Sequence, residues 1–114
     1  MIVRNLETEE VHRRWYVAHG GGMATMLFDA TELQGILFLA HAVLKPNRVL
    51  ELHIDPYEEI YYILAGQGLM KVGDDKQQVK TGDAVWIPYG VSHSLLNNGT
   101  QDCLVLVMAA MPRT

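Results

Sequence analysis

The sequence predicts an all-β domain, a sandwich or a barrel of short strands, on three observations. From Ile36 onward the chain consists of short apolar runs. No segment after that point keeps a 3.6-residue apolar period, so helices should be few. Turn-forming residues separate the runs at intervals typical of all-β proteins. They lie at 45–47, 65–68, 72–77, 80–83, 88–90 and 97–102.

The first 35 residues are less regular than the rest of the chain. The stretch "VRNL" (3–6) could begin a strand, "ETEEVHRR" (7–14) could form a helical turn, and "HGGG" (19–22) must be a loop or a bulge. We therefore predict an N-terminal extension, residues 1–35, that packs on the β domain or exchanges with that of a second subunit. The β domain itself is expected to comprise residues 36–114.

Composition limits the classes of function. A chain of 114 residues with 49% hydrophobic and 19% charged residues has enough apolar surface for one folded domain. The net charge is -4 and its nine Lys and Arg residues form no basic run, which argues against a nucleic-acid partner. No apolar stretch is long enough to span a membrane, and a single cysteine, Cys103, fits a reducing compartment. We expect a cytoplasmic protein that contacts no membrane.

Two predicted strands are apolar on both faces. In "EEIYYIL" (58–64) and in "CLVLVMA" (103–109), apolar side chains occupy both alternating sets of positions. One face can pack in the domain's own interior, and the other must be buried against another segment or a second subunit. This pattern favours a homodimer.

Four residues have the chemistry of a metal site. Side chains two apart on a strand share a face, so His53 and Asp55 should project together, and after a short link Glu59 can enter a neighbouring strand on that face. His93 follows a Pro-Tyr-Gly turn forty residues after His53. Two imidazoles with one or two carboxylates suit divalent iron, with manganese, nickel or zinc as alternatives. Without a metal, four titratable groups facing one cavity could still perform acid–base chemistry.

The segments around these residues resemble the two motifs of the cupin superfamily, and small single-domain bacterial cupins in particular. The first motif reads Gly, five residues, His-x-His, three or four residues, Glu, six residues, Gly, and is similar to "NRVLELHIDPYEEIYYILAG" (47–66). The second motif reads Gly, five residues, Pro-x-Gly, two residues, His, three residues, Asn, and is matched in full at 82–97. The resemblance implies an antiparallel jelly-roll β-barrel with a divalent metal ion held by His53, Glu59 and His93.

The sequence departs from the first motif at two positions. Asn47 replaces the opening glycine, and it should tolerate the positive φ that this turn requires. Asp55 replaces the second histidine, and its side chain reaches roughly an ångström less far than an imidazole. Asp55 could bind the metal directly, act through a water molecule, support the ligands, or serve as a base. We predict three protein ligands with Asp55 close by.

The resemblance implies a small-molecule ligand and leaves the reaction open, because cupins include oxygenases, isomerases and lyases. We expect a partly hydrophobic substrate that carries a carboxylate or enol oxygen. The alternative is a non-catalytic binding or sensory barrel in which Asp55 marks a degraded metal site. Among the other titratable residues, His41 is interpreted as a core or interface residue, His12 and His19 as structural or exposed, and Glu58 as a surface charge.

Overall fold

The computed structural model describes residues 1–113, and strands dominate it. The single helix in this range, α1, has four residues and is far too short to cross a membrane. The predicted all-β class is confirmed. In chain order the elements are α1 (Glu9–His12), β1 (Trp15–Ala18), β2 (Gly22–Phe28), β3 (Phe38–Leu44), β4 (Val49–His53), β5 (Glu58–Ala65), β6 (Gln67–Val72), β7 (Asp75–Lys80), β8 (Ala84–Ile87), β9 (His93–Leu96) and β10 (Cys103–Ala110).

The strands form two antiparallel sheets that pack face to face. One has six strands in the order β1-β2-β3-β10-β5-β8, and the other has four in the order β4-β9-β6-β7. The core lies between them, with Leu44, Ile63 and Val105 of the larger sheet packed with Leu50 and Leu95 of the smaller one. This arrangement is the predicted antiparallel jelly-roll.

The N-terminal residues extend the larger sheet at one edge. The predicted helical turn is α1, whose Thr8 side chain caps the backbone N–H of Val11. The strand considered at 3–6 does not form, and Arg4 there donates a hydrogen bond to the carbonyl of Leu27 at 2.8 Å and pairs with Glu32. Strands β1 and β2 add to β3 instead. The boundary at residue 35 remains a prediction.

Strand alternation sends the side chains of β5 to opposite faces of the larger sheet. Tyr61 and Ile63 are buried, whereas Tyr62 is 41% exposed on the opposite face. Trp86, on the neighbouring strand β8, is 63% exposed and donates its indole N–H to Glu58. The outer face of the larger sheet is therefore apolar along β5 and β8, and Glu58 is a surface residue as expected.

Two asparagines fix the turns that carry the site strands. Asn47 has a φ of 65°, which confirms the predicted left-handed conformation. Asn97 is fully buried, and its amide nitrogen donates to the carbonyls of Leu44 at 2.7 Å and Gln101 at 2.8 Å. Its side-chain oxygen accepts the N–H of Gly99 at 2.9 Å. One side chain thus joins the end of β9 to the end of β3 and to the turn before β10.

We predict that Asn97→Ala lowers the free energy of unfolding by roughly 2–4 kcal/mol, because it leaves buried backbone groups without partners. Asn98→Ala is the matched control, since Asn98 is exposed and pairs only with the Gln78 side chain. Its cost should be below about 0.5 kcal/mol. Urea denaturation measures both values. Equal costs for the two substitutions would contradict this role of Asn97.

Candidate metal centre

Strands of both sheets and one connection bring four metal-binding side chains together. His53 ends β4 and His93 begins β9, and the two residues are cross-strand partners. Glu59 comes from β5 of the larger sheet. Asp55 lies in the connection between β4 and β5. One ligand atom from each of the four residues lies within 4.8 Å of the other three.

Backbone carbonyls determine which nitrogen of each histidine faces the cluster. Nδ1 of His53 lies 2.6 Å from the carbonyl oxygen of Glu51, and Nδ1 of His93 lies 2.9 Å from that of Val91. A carbonyl oxygen can only accept, so Nδ1 carries the proton in both rings. Each Nε2 therefore presents a lone pair to the cluster, as in histidines that bind metals.

The four inward atoms have no hydrogen-bond partners. Nε2 of His53 lies 3.1 Å and Nε2 of His93 lies 3.5 Å from Oδ2 of Asp55, and Nε2 of His93 is 3.2 Å from Oε1 of Glu59. All four atoms are buried, and none has hydrogen-bonding geometry with another. Lone pairs and carboxylate oxygens repel one another at these distances unless a cation or a shared proton lies among them.

The spacing of the four atoms fits one metal ion. Atoms bonded at about 2.1 Å to the same ion lie about 3.0 Å apart when adjacent in an octahedron, and about 4.2 Å apart when opposite. The observed separations of 3.1, 3.2 and 3.5 Å match adjacent positions. Four protein ligands would leave two of six positions for water or a small molecule.

Asp55 reaches the cluster although its side chain is short. Strand alternation does not determine its position, because β4 ends at His53 and the β4–β9 register is irregular between Leu50 and His53. Because Asp55 lies beyond the end of β4, strand pairing does not fix its backbone, and the backbone position brings the short side chain to the cluster. The Asp55 oxygen is as close to a histidine nitrogen as the Glu59 oxygen is.

The carboxylates and imidazoles of the cluster shift one another's pKa. Burial raises the pKa of Glu59 to about 7, and the nearby Asp55 charge adds to this rise. Burial opposes charging of His93, but the Glu59 carboxylate and the Val91 carbonyl outweigh it and raise the His93 pKa. Burial opposes ionisation of Asp55, but the adjacent Glu59 carboxyl and the neighbouring histidines outweigh it and keep the Asp55 pKa low.

A fifth residue, His19, contacts the cluster from the N-terminal segment. Its ring stacks on that of His53, with centroids 3.3 Å apart and planes 9° from parallel. The His19 backbone is left-handed, with a φ of 46°, and its carbonyl accepts the N–H of Glu51 at 2.8 Å. A Cβ on Gly21 would lie 2.2 Å from the Val49 carbonyl oxygen, so only glycine lets this segment lie against β4.

Sequence reasoning missed this contact and interpreted His19 as structural or exposed. The available signal was the run of three glycines after it, since glycine is required where two backbone segments approach closely. His12 lies exposed on α1 as expected. His41 is half-buried on the outer side of β3, because its neighbours Ala40 and Ala42 point inward.

A cavity of about 340 Å³ opens beside the cluster. Its wall includes Glu59 and three tyrosines, Tyr16, Tyr57 and Tyr61, and its remaining surface is mainly apolar. Burial raises the pKa of all three tyrosines, so each is a neutral phenol that can donate a hydrogen bond. The cavity volume is within the range of small-molecule sites.

Comparison with known proteins identifies the family. Residues 40–109 match the sequence model of the Cupin domain family, which is more than half of the 114-residue chain. An uncharacterized protein of Methanocaldococcus jannaschii is 31% identical over 98% of this chain and 91% of its own length. The chain belongs to the cupin family. It spans 59%, 53% and 53% of the length of three further curated relatives.

Solved structures agree with this assignment. A Thermotoga maritima protein described as a predicted oxalate decarboxylase is 27% identical, with a TM-score of 0.79 over 98% of this chain and 100% of that one. The polyketide cyclase RemF of Streptomyces resistomycificus has a TM-score of 0.76 over 98% of this chain and 82% of its own. RemF is 22% identical and shares the fold alone.

We predict that Glu59 makes the metal-free protein less stable as pH rises from about 5 to about 8. A carboxyl whose folded pKa is about 7 instead of 4.5 holds a proton in that range that the unfolded chain has released, so this stabilisation is lost as pH rises through 7. Chelator-treated protein and its Glu59→Gln variant should be compared by urea denaturation across this range. The difference in unfolding free energy between the two proteins isolates the effect of Glu59. Burial lowers the pKa of His19 and His41, so these two histidines act in the opposite sense and make the protein more stable as pH rises. A difference that does not change with pH would contradict the prediction.

Proposed function

We propose that this cupin binds one divalent metal ion through His53, Asp55, Glu59 and His93, and uses it to act on a small molecule in the adjacent cavity. One observation carries the proposal: four buried, mutually unpaired electron-pair donors converge at the spacing of a single coordination shell. Two carboxylates would neutralise a divalent ion, and a mixed nitrogen and oxygen set suits iron or manganese, with nickel or zinc as alternatives.

The bound ion would supply Lewis acidity or, for iron or manganese, redox chemistry of the oxygenase, isomerase or lyase type. The Glu51 and Val91 carbonyls would keep the two imidazoles oriented. Glu59 borders both the cluster and the cavity, so its carboxylate faces ion and substrate together. Asp55 acts in this proposal as a direct ligand, in place of the base or supporting role considered from sequence.

The alternative is a non-catalytic binding barrel with a degraded metal site. Degradation should leave the substituted position withdrawn from the other ligands. Oδ2 of Asp55 instead lies 3.1 Å from Nε2 of His53, which supports an intact site with a changed ligand. The unpaired inward atoms likewise favour a site that holds an ion.

We predict that His93→Ala weakens divalent-metal binding by more than about 100-fold, because it removes a direct ligand from a buried site. His41→Ala is the matched control, since that histidine lies on the outer side of the sheet. Protein purified without chelators should be analysed for its metal content, stripped, and titrated with Mn²⁺, Fe²⁺, Ni²⁺ and Zn²⁺. Substoichiometric metal, or equal affinities in the two variants, would overturn the proposal.

We also propose that the protein is a cytoplasmic homodimer. The outer face of β5 and β8 exposes four large apolar side chains in one patch, which supports a subunit contact there. These side chains are Ile60, Tyr62, Leu64 and Trp86, with 37, 41, 39 and 63% of their surface exposed. Exchange of residues 1–35 between subunits is the other route to a dimer considered above.

We predict that the double variant Tyr62→Glu, Leu64→Glu is monomeric, because both charges would be buried in the subunit contact. Leu52→Glu introduces the same charge at a residue that is 57% exposed in the smaller sheet, and should leave the dimer intact. Light scattering after size exclusion gives the mass of each protein. A dimer that persists in the double variant would exclude this face and favour exchange of the N-terminal segment.

A further inference from the structure

The cavity beside the cluster has no permanently charged cation in its wall. Thirteen residues line it, and none is lysine or arginine. Two arginines of the N-terminal segment have partners elsewhere: Arg14 pairs with Asp29 and donates to the Met26 carbonyl, and Arg4 pairs with Glu32. Phosphates and dicarboxylates are bound in proteins by convergent arginine or lysine side chains. The cavity is therefore poorly suited to both.

The remaining surface is chiefly apolar and is made roomy by alanines. Ala24, Ala40 and Ala42 present methyl groups from two adjacent strands of the larger sheet, and Met26 and Phe38 continue the same wall. Small side chains on neighbouring strands leave a smooth surface against which a flat ring can pack. Burying such a ring contributes about 25 cal/mol for each Å² of apolar surface.

Several polar residues of the cavity wall lie beside the cluster: His19 stacks on His53, and the Tyr61 ring lies 6.0 Å from that of His93. Glu59 belongs to both the cluster and the cavity wall, and Tyr57 immediately precedes the Glu58–Glu59 pair. Together with Tyr16 and Tyr61, Tyr57 offers neutral hydroxyl donors, which suit a hydroxyl, carbonyl or single carboxylate on the ligand.

From this distribution we infer that the ligand is a flat, largely apolar compound, such as a fused aromatic ring, with one oxygen-bearing end that is neutral or singly anionic. The oxygen-bearing end lies toward the cluster and the ring lies along the alanine wall. This inference rests on the proposed function, because that end would occupy the open positions of the metal ion. It distinguishes the protein from one that binds oxalate or a sugar phosphate.

The test compares three probes on the full chain loaded with Mn²⁺: 3-hydroxy-2-naphthoate, oxalate and glucose 6-phosphate. Isothermal titration should give naphthoate an affinity at least about tenfold higher than either of the others, owing to its buried ring area. Ala40→Leu, which fills the cavity, should weaken naphthoate binding by about tenfold or more while leaving Mn²⁺ binding unchanged.

Ala84→Leu is the control, because Ala84 lines a different cavity, of about 410 Å³. This substitution should change neither the naphthoate affinity nor the Mn²⁺ affinity. Met26→Trp adds bulk at a half-buried wall position and provides a second test if Ala40→Leu does not fold, as judged by circular dichroism.

The outcomes separate the two proposals. Failure of the unsubstituted protein to bind a divalent metal ion would overturn the proposed function and this inference with it. Metal binding accompanied by tighter oxalate or glucose 6-phosphate binding would overturn the inference alone. So would naphthoate binding that both folded cavity-filling variants leave unchanged.

Discussion

Two backbone carbonyls, those of Glu51 and Val91, each hold the Nδ1 proton of the histidine two residues later. These two hydrogen bonds determine which nitrogen of each histidine faces the cluster. They turn both Nε2 lone pairs toward the two carboxylates, and none of these four atoms has a hydrogen-bond partner. Because His53 and His93 are cross-strand partners, the β4–β9 pairing sets the distance between the two rings. The jelly-roll thus brings together four groups that need a cation or a shared proton between them.

Much of the fold was predictable because its turns depend on local chemistry. Asn47 adopts the left-handed conformation that its place after Pro46 indicated, and a predicted turn lies at or overlaps each junction from β3 onward except that between β4 and β5. The N-terminal strands were not predicted. "WYVA" (15–18) and "GMATMLF" (22–28) become strands by pairing with each other and with β3, and such partners are not visible in a local stretch of sequence.

In the site too, some residues are predictable from short sequence motifs, whereas the positions of others depend on contacts between distant segments. Motif spacing identified His53, Glu59 and His93, but the position of Asp55 depends on where β4 ends, which strand alternation alone does not give. The stacking of His19 on His53 joins residues 34 positions apart in sequence, through a segment whose path requires Gly21. Contacts of this kind depend on the completed tertiary structure.

The glycine-dependent path of residues 19–22 has a consequence for how specificity and reactivity are encoded. Six of the thirteen cavity residues precede the region that matches the family, whereas all four cluster residues lie within it; the six are Tyr16, Ala18, His19, Ala24, Met26 and Phe38. Nearly half of the cavity wall therefore lies before the stretch of sequence that carries the reactive centre. Divergence before residue 36 could redirect the protein to a new ligand while the reactive centre stayed the same.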